Sequence, residues 1–418
     1  MTRAVAADGL AARVDELASL RAQAGRRFFE DEAERVARLC HRMAERFARG
    51  GRLVALGASP QARSDVRHVA VEFVHPVIVG KRALPAIGLA GEGGGLRAQF
   101  DLVAEPDDIA IAFGGETFGD ESAGGAVAAG DETAAALSLA RERGCLTVGF
   151  GVSGAEWGFE PAVEDPFVRQ ELDETLYHVL WELVHVFFEH RGLLEGREAR
   201  RTHDTGKSSF LYPFLGEQEQ DLEAIVEDVR GSVLMKSSEA TALRTQTLED
   251  GRDGLLAAAA ALRSAFENGG KLLALGNGGS ATDAIDAVAD FRSAPQGWQP
   301  RRALDLTEDA SILTAIANDV GVEAIFGRQV IAYGRPGDAL LALSTSGNSL
   351  NVIEALAEGR RGGLVTIAMI GYDGGRIAAD GLADHVIVTR SEHIPRIQEA
   401  QASAYHVLRE LVELSSAA

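Results

Sequence analysis

The sequence predicts an α/β protein of two tandem units, each a parallel sheet sandwiched between helices. Two observations carry this. Short apolar runs alternate with helical patterns, and the same landmarks occur twice in the same order. Arg52-Leu-Val-Ala-Leu-Gly57 returns as Lys271-Leu-Leu-Ala-Leu-Gly276. Each follows a long helical pattern that ends in a glycine pair, Gly50-Gly51 and Gly269-Gly270. Each precedes a helical stretch that closes on an acid and a phenylalanine, Glu72-Phe73 and Asp290-Phe291. Late in each half a Gln-Glu pair has a histidine eight residues beyond the Gln, as Gln170…His178 and Gln398…His406. The predicted units are 1–195 and 217–418, with 196–216 as a polar, turn-rich linker.

Each element follows in order. Amphipathic stretches Leu10–Ala48 and Glu217–Glu267 open the units, both too long for one helix packed on its own sheet. In the first unit Leu53–Leu56, Ala86–Leu89, Ile109–Phe113 and Leu146–Phe150 read as buried parallel strands, and Thr117–Gly130 as an inserted loop. In the second, Leu272–Leu275, Ala303–Leu306, Ala339–Leu343, Val365–Met369 and His385–Val388 are the strands. Ala281–Phe291, Ser349–Arg361 and Pro395–Glu413 are helices between and after them. Strand and helix in alternation give a parallel sheet with helices on both faces.

Composition narrows the function. The chain has 418 residues and a net charge of -21, which argues against nucleic-acid binding. Hydrophobic content of 46% and charged content of 25% are those of a globular protein. No apolar run reaches the roughly 18 residues of a membrane span, and Met1-Thr2-Arg3-Ala4 opens no signal-peptide pattern. Cys40 and Cys145 read as buried thiols of a reducing cytoplasm. Trp157, Trp181, Trp298, His185 and His190 carry no motif and read as packing or solvated residues.

Two loops of the second unit follow strands and open helices: Gly276-Asn-Gly-Gly-Ser280 and Ser344-Thr-Ser-Gly-Asn-Ser349. Glycines let backbone N–H groups approach an anion, the helix dipole attracts it, and uncharged hydroxyls suit a phosphate monoester bound reversibly. A single glycine-rich turn is equally a tight turn; two at successive strand ends are a site. Neither loop carries the lysine of a nucleotide-binding P-loop, and Gly206-Lys207-Ser208 lacks that motif's upstream glycine.

These loops, with Gly371-Tyr-Asp-Gly-Gly375 and Arg396-Ile-Gln-Glu399, resemble the phosphoheptose (sedoheptulose 7-phosphate) isomerases of the SIS, or sugar-isomerase, fold. The resemblance covers nearly all of 218–418 and extends more faintly to the first unit. It implies two SIS-type αβα sandwich domains and an aldose–ketose phosphosugar isomerase. It places substrate on Asn277, Gly278, Gly279, Ser280, Asp309, Ser344, Thr345, Ser346, Ser349 and Gln398. Family members are tetramers of single domains, so two tandem chains as a homodimer resemble one tetramer.

The family's metal pattern is His-x-x-x-Glu on the helix after the first loop, plus Gln and His on the last helix. The first unit matches it with His68, Glu72, Gln170 and His178, implying zinc. Its phosphate loops are eroded to Gly57-Ala-Ser-Pro-Gln61 and Ala112-Phe-Gly-Gly-Glu116. The second unit keeps the loops, Gln398 and His406, but has Asp286 and Asp290 where the pattern has His and Glu. His68 and Glu72 alone could equally be an i,i+4 pair of no special role.

Isomerisation through an enediol needs a base, an acid and a Lewis acid. By resemblance these are Glu72, His178 or His406, and zinc, with the phosphate held by the second unit. The rival reading is a non-catalytic SIS module that binds a sugar phosphate as a regulator or partner-binding protein. The Asp286 and Asp290 replacements favour the rival; the four matched positions of the first unit favour the enzyme.

Overall fold

A computed structural model describes residues 7–77, 81–91, 94–114, 125–189, 221–295 and 297–414. The predicted linker 196–216 and His190 lie outside the described residues, as does most of the predicted insertion Thr117–Gly130. From Gly125 onward that insertion is helix and not loop.

The first sheet is built from β1 (Leu53–Leu56), β2 (Ala86–Leu89), β3 (Ile109–Phe113), β4 (Leu146–Phe150) and β5 (Trp157–Phe159). Its order is β2-β1-β3-β4-β5, with every pair parallel. The second comprises β6 (Leu272–Leu275), β7 (Ala303–Asp305), β8 (Ala339–Ser344), β9 (Val365–Ile370) and β10 (His385–Val388). Its order, β10-β9-β8-β6-β7, is again all parallel, and its first strand likewise lies inside the sheet beside the third. The predicted tandem α/β architecture is therefore the observed one. Every residue of β1, β3, β4, β6 and β8 is buried, because helices cover both faces of a parallel sheet. β5 was not foreseen: three residues with a glycine at the centre leave no apolar run to read.

A shared polar device repeats the duplication in atoms. Buried Asp108, just before β3, accepts from Arg52 N at 2.8 Å and from the Arg52 guanidinium at 2.8 Å. Buried Asp338, just before β8, accepts from Lys271 N at 2.9 Å and from the Lys271 ammonium. Each clamps the residue that leads into the first strand of its sheet. The glycine before that residue is required: a Cβ on Gly51 would lie 2.1 Å from Asp107 O, and one on Gly270 2.6 Å from Gly337 O.

The helices are α1 (Ala7–Ala48), α2 (Pro60–Val74), α3 (Leu96–Val103), α4 (Gly125–Glu142), α5 (Pro166–Glu189), α6 (Leu222–Asp250), α7 (Arg252–Glu267), α8 (Gly279–Arg292), α9 (Ala310–Asp319), α10 (Gly327–Tyr333), α11 (Leu350–Arg361), α12 (Gly375–Ala379) and α13 (Ile394–Leu414). The two long openings differ. The first is one helix, whereas the second breaks at Gly251, where a Cβ would sit 2.7 Å from Thr247 O. Among the described residues no helix is long and apolar enough to cross a membrane.

The described residues form two compact units. One runs from Ala24 to Ser238; the other takes the residues before Ala24 and those from Glu239 onward. This division differs from the boundaries at 195 and 217. The cause is where apolar stripes find cover. Val14, Leu17 and Ala18 of α1 lie in the same core as Leu255, Leu272 and Leu408. Arg13 reinforces this with a 2.8 Å ion pair to Glu410 of α13. In the other unit, Glu223 of α6 pairs with Arg38 of α1 at 2.8 Å.

Candidate active site and metal centre

Loops at the topological switch of the second sheet come first. The strand order turns between β6 and β8, which is where a doubly wound sheet opens a crevice at its carboxyl end. Both candidate phosphate loops lie there. After β6, Gly278 takes φ 56 and opens α8 without a side-chain cap, so the first N–H groups of that helix are left to other acceptors. After β8, Gly347 takes φ 62, and a Cβ there would meet Gly374 O at 2.4 Å. Asn277 and Asn351 exchange amide hydrogen bonds of 3.0 and 2.8 Å, tying the two loops together. Ser344 and Ser346 accept from the N–H groups of Gly347 and Asn348, both at 3.2 Å, which leaves their hydroxyl hydrogens to donate outward. Ser349 stands at the start of α11 and makes no capping bond.

Asp309 and Gln398 are placed differently. Asp309 is the N-cap of α9, accepting from Ser311 N at 2.9 Å and Ile312 N at 3.0 Å. Gln398 is buried on α13, beside the buried ion pair of Arg396 and Glu399 at 2.8 Å.

Deeper in the second unit, α8 and α13 bring Asp286, Asp290 and His406 together, all buried. His406 Nε2 lies 3.3 Å from an oxygen of each aspartate. Tyr405 donates to Asp286 at 2.7 Å. Burial first, and then Asp286, push the Asp290 carboxyl above the ordinary range, while the His406 hydrogen bond works the other way. Arg409 Nε donates to the Asp290 carbonyl at 3.1 Å. The result is one imidazole between two carboxylates.

The first unit builds the same place from different donors. Ser59 caps α2 by accepting from Ala62 N at 3.1 Å, and Pro60 starts the helix. Pro60 also has no N–H to offer an anion, where the second unit's loop has Gly279. Further along α2, His68 and Glu72 share one buried face. His68 Nδ1 bonds the Tyr177 hydroxyl at 3.0 Å, and His68 Nε2 faces His178 Nε2 at 3.3 Å. Glu72 Oε1 lies 3.9 Å from His68 Nε2. Desolvation pushes the Glu72 carboxyl up to about 7. Burial, and then His178, hold the His68 imidazole well below its usual range.

Of the four residues named for the metal, His68 and His178 meet directly and Glu72 stands beside them. Gln170 Nε2 donates to Ser64 Oγ at 3.5 Å and to Asp65 Oδ2 at 3.4 Å. Glu174, which the sequence pattern passed over, has a carboxylate oxygen within 4.8 Å of both imidazoles. Its position midway between Gln170 and His178, on the same helical face, was the available signal. Tyr177 and Tyr405 were likewise missed, although a Tyr-His pair occupies the same place in both halves. Trp181 is fully buried, as expected, and Trp298 stacks on the Arg409 guanidinium at 4.9 Å. Buried Cys40 and Cys145 are free thiols.

Two buried imidazoles and a carboxylate are a donor set that suits zinc; one imidazole between two aspartates suits it less. The metal residues therefore fit in the first unit.

A family model for the SIS domain matches residues 237–371. A phosphoheptose isomerase of Chlorobium phaeobacteroides is 45% identical over 186 residues, 43% of this chain and 81% of that protein. One from a Roseiflexus species is 42% identical over 178 residues, 41% of this chain and 86% of its own length. The C-terminal domain of a glucosamine-fructose-6-phosphate aminotransferase from Francisella tularensis is 10% identical, covers 96% of this chain and 94% of its own, and superposes with a TM-score of 0.57. That last likeness is one of fold, and it spans both units.

Proposed function

The chain belongs to the SIS-domain family of the phosphoheptose isomerases, and on that premise we propose that it interconverts an aldose and a ketose phosphosugar of the sedoheptulose 7-phosphate class. The observation that supports this best is the pair of loops at the β6/β8 switch, tied by Asn277 and Asn351. Asn277, Gly278, Gly279, Ser280, Ser344, Thr345, Ser346 and Ser349 hold the phosphate through N–H groups and hydroxyls. A bound phosphate fixes the remote end of the sugar and turns binding energy into positioning.

The chemistry is proton transfer between adjacent carbons through an enediol. A carboxylate takes the proton from the hydroxyl-bearing carbon next to the carbonyl, and an acid protonates the carbonyl oxygen to give the enediol. The hydroxyl on the first carbon then gives its proton back to that acid's conjugate base as the new carbonyl forms, and the carboxyl returns its proton to the former carbonyl carbon. Glu72 has the character of that base. A carboxyl held near 7 is both available and strong enough at neutral pH. His178 in the first unit and His406 in the second are the acid candidates. His406 Nε2 lies 3.3 Å from Asp286 and from Asp290, which fix the orientation of its ring. Zinc, where bound, supplies Lewis-acid polarisation of a carbonyl. His68 and His178 would be its imidazole ligands. Asp309, engaged as a helix cap, keeps one oxygen for a sugar hydroxyl, and Gln398 lies on the same helix as His406.

The test replaces Ser346 and Ser349 with alanine and measures turnover of sedoheptulose 7-phosphate by NMR. Each lost hydrogen bond to phosphate is worth about 1.5–3 kcal/mol before non-additivity, so the expected fall in kcat/KM is at least about tenfold. Unchanged turnover would place the phosphate elsewhere.

A further inference from the structure

We infer that the cation ligands of the first unit are His68, His178 and Glu174, with Glu174 in the role that the sequence pattern gives to Gln170. This rests on the zinc reading of the proposed function and specifies its ligands.

Distance carries the argument first. The three ligand atoms lie within 4.8 Å of one another, and all three residues are buried. The two Nε2 atoms are 3.3 Å apart. Two zinc–nitrogen bonds of about 2.05 Å at a tetrahedral angle span roughly 3.3–3.4 Å, the same separation. Orientation agrees with it. Tyr177 holds His68 Nδ1 at 3.0 Å and so turns Nε2 toward His178, as an outer partner does for a metal-bound imidazole.

Helix geometry separates the two candidates for the third place. Glu174 and His178 are i,i+4 on α5, one above the other on one face. Gln170 is a further turn away, about 6 Å along the axis, and its amide nitrogen donates to Ser64 and Asp65. Charge favours the same choice. Two neutral imidazoles and one carboxylate leave a zinc ion only singly positive in a buried place, whereas an amide oxygen would leave it doubly so. Glu72, 3.9 Å from His68, stands next to the set without belonging to it and stays available as a base. Three protein ligands leave the fourth position open, as catalytic zinc sites do. The second unit has a different set of donors. Ala402, four residues before His406 on α13, stands where the carboxylate of Glu174 would be needed. Asp286 stands where the first unit has the imidazole of His68.

The experiment is a zinc and a cobalt titration of the full chain, with bound metal counted by elemental analysis and cobalt absorption reporting tetrahedral coordination. The parent is expected to bind one zinc in this unit. Glu174→Gln is expected to lose at least about a hundredfold in affinity and to lose the tetrahedral cobalt spectrum. Gln170→Ala is expected to stay within about threefold of the parent, since it removes no ligand. If Glu174→Gln fails to fold by circular dichroism, Glu174→Asp, which keeps the charge but shortens the reach, is expected to weaken zinc at least about tenfold. A parent without zinc, a Glu174 variant that binds as the parent does, or a Gln170→Ala variant stripped of metal would each overturn the assignment. Failure of the isomerase reading is separate. A parent that binds zinc through Glu174 but turns over no phosphosugar would leave this ligand set standing.

Discussion

Glu72 shows how one residue can be read twice. Its place four residues after His68 was visible in the sequence, but the consequence of its burial was not. At 2% exposure it loses its water, and its carboxyl is raised from 4.5 to about 7. A group whose folded pKa lies above its unfolded value binds more protons when folded, so stability falls as pH rises between those values. The metal-free chain should therefore lose stability from about pH 4.5 to about pH 7 on account of this group. Glu72→Gln should remove that loss and be more stable at pH 8 by about 1–3 kcal/mol, while losing isomerase activity. Urea melts of both proteins in EDTA at about pH 5 and about pH 8 check this. A variant with the parent's pH dependence would show that Glu72 is not the group responsible. Glu174 is the complementary case. Nothing in its residue type marked it out, and only the side-by-side packing of α2 and α5 brings its oxygen to two imidazoles.

Elements were legible where one physical rule dominated. Central strands such as Ile109–Phe113 and Ala339–Ser344 are buried on both faces and so read as unbroken apolar runs. The edge strand Trp157–Phe159 has a half-exposed tryptophan and an exposed glycine, and it obeys no such rule. Loop conformation was legible from glycine. Gly347 sits at φ 62 with the Gly374 carbonyl in the space a Cβ would take. Gly347→Ala should cost about 1–3 kcal/mol through backbone strain and displace the loop that carries Ser346. A thermal melt combined with phosphosugar titration measures both effects, and a variant as stable and as tight-binding as the parent would contradict this account of the loop. Long helices were read less well. The pattern of Leu10–Ala48 was seen, but periodicity says which face is apolar and not which core receives it.

At the scale of the whole chain, duplication was the most legible feature, because it leaves landmarks that survive divergence. The clamp of Asp108 on Arg52 and of Asp338 on Lys271 shows the same parentage in hydrogen bonds. Unit boundaries were not legible, since the repeat unit of a sequence need not be the packing unit of a structure. Residues before Ala24 belong with those from Glu239 onward, and Leu17, 1% exposed, lies in that core. Leu17→Ala should thus destabilise the unit that carries β6–β10 by about 2–5 kcal/mol. Hydrogen exchange followed by peptide should show faster exchange in Leu272–Leu275 and Ala339–Ser344 than in Leu53–Leu56. Faster exchange confined to the first sheet would refute the assignment.

The division of labour between the units is the central claim: one keeps the phosphate loops, the other keeps the facing pair of imidazoles, His68 and His178. Turnover of sedoheptulose 7-phosphate by the zinc-loaded chain, followed by NMR beside the Ser346→Ala, Ser349→Ala double variant, tests it most directly. Conversion by the parent and at least about a tenfold lower kcat/KM in a folded variant is the result expected. No conversion by the parent, or equal conversion by both, would contradict it.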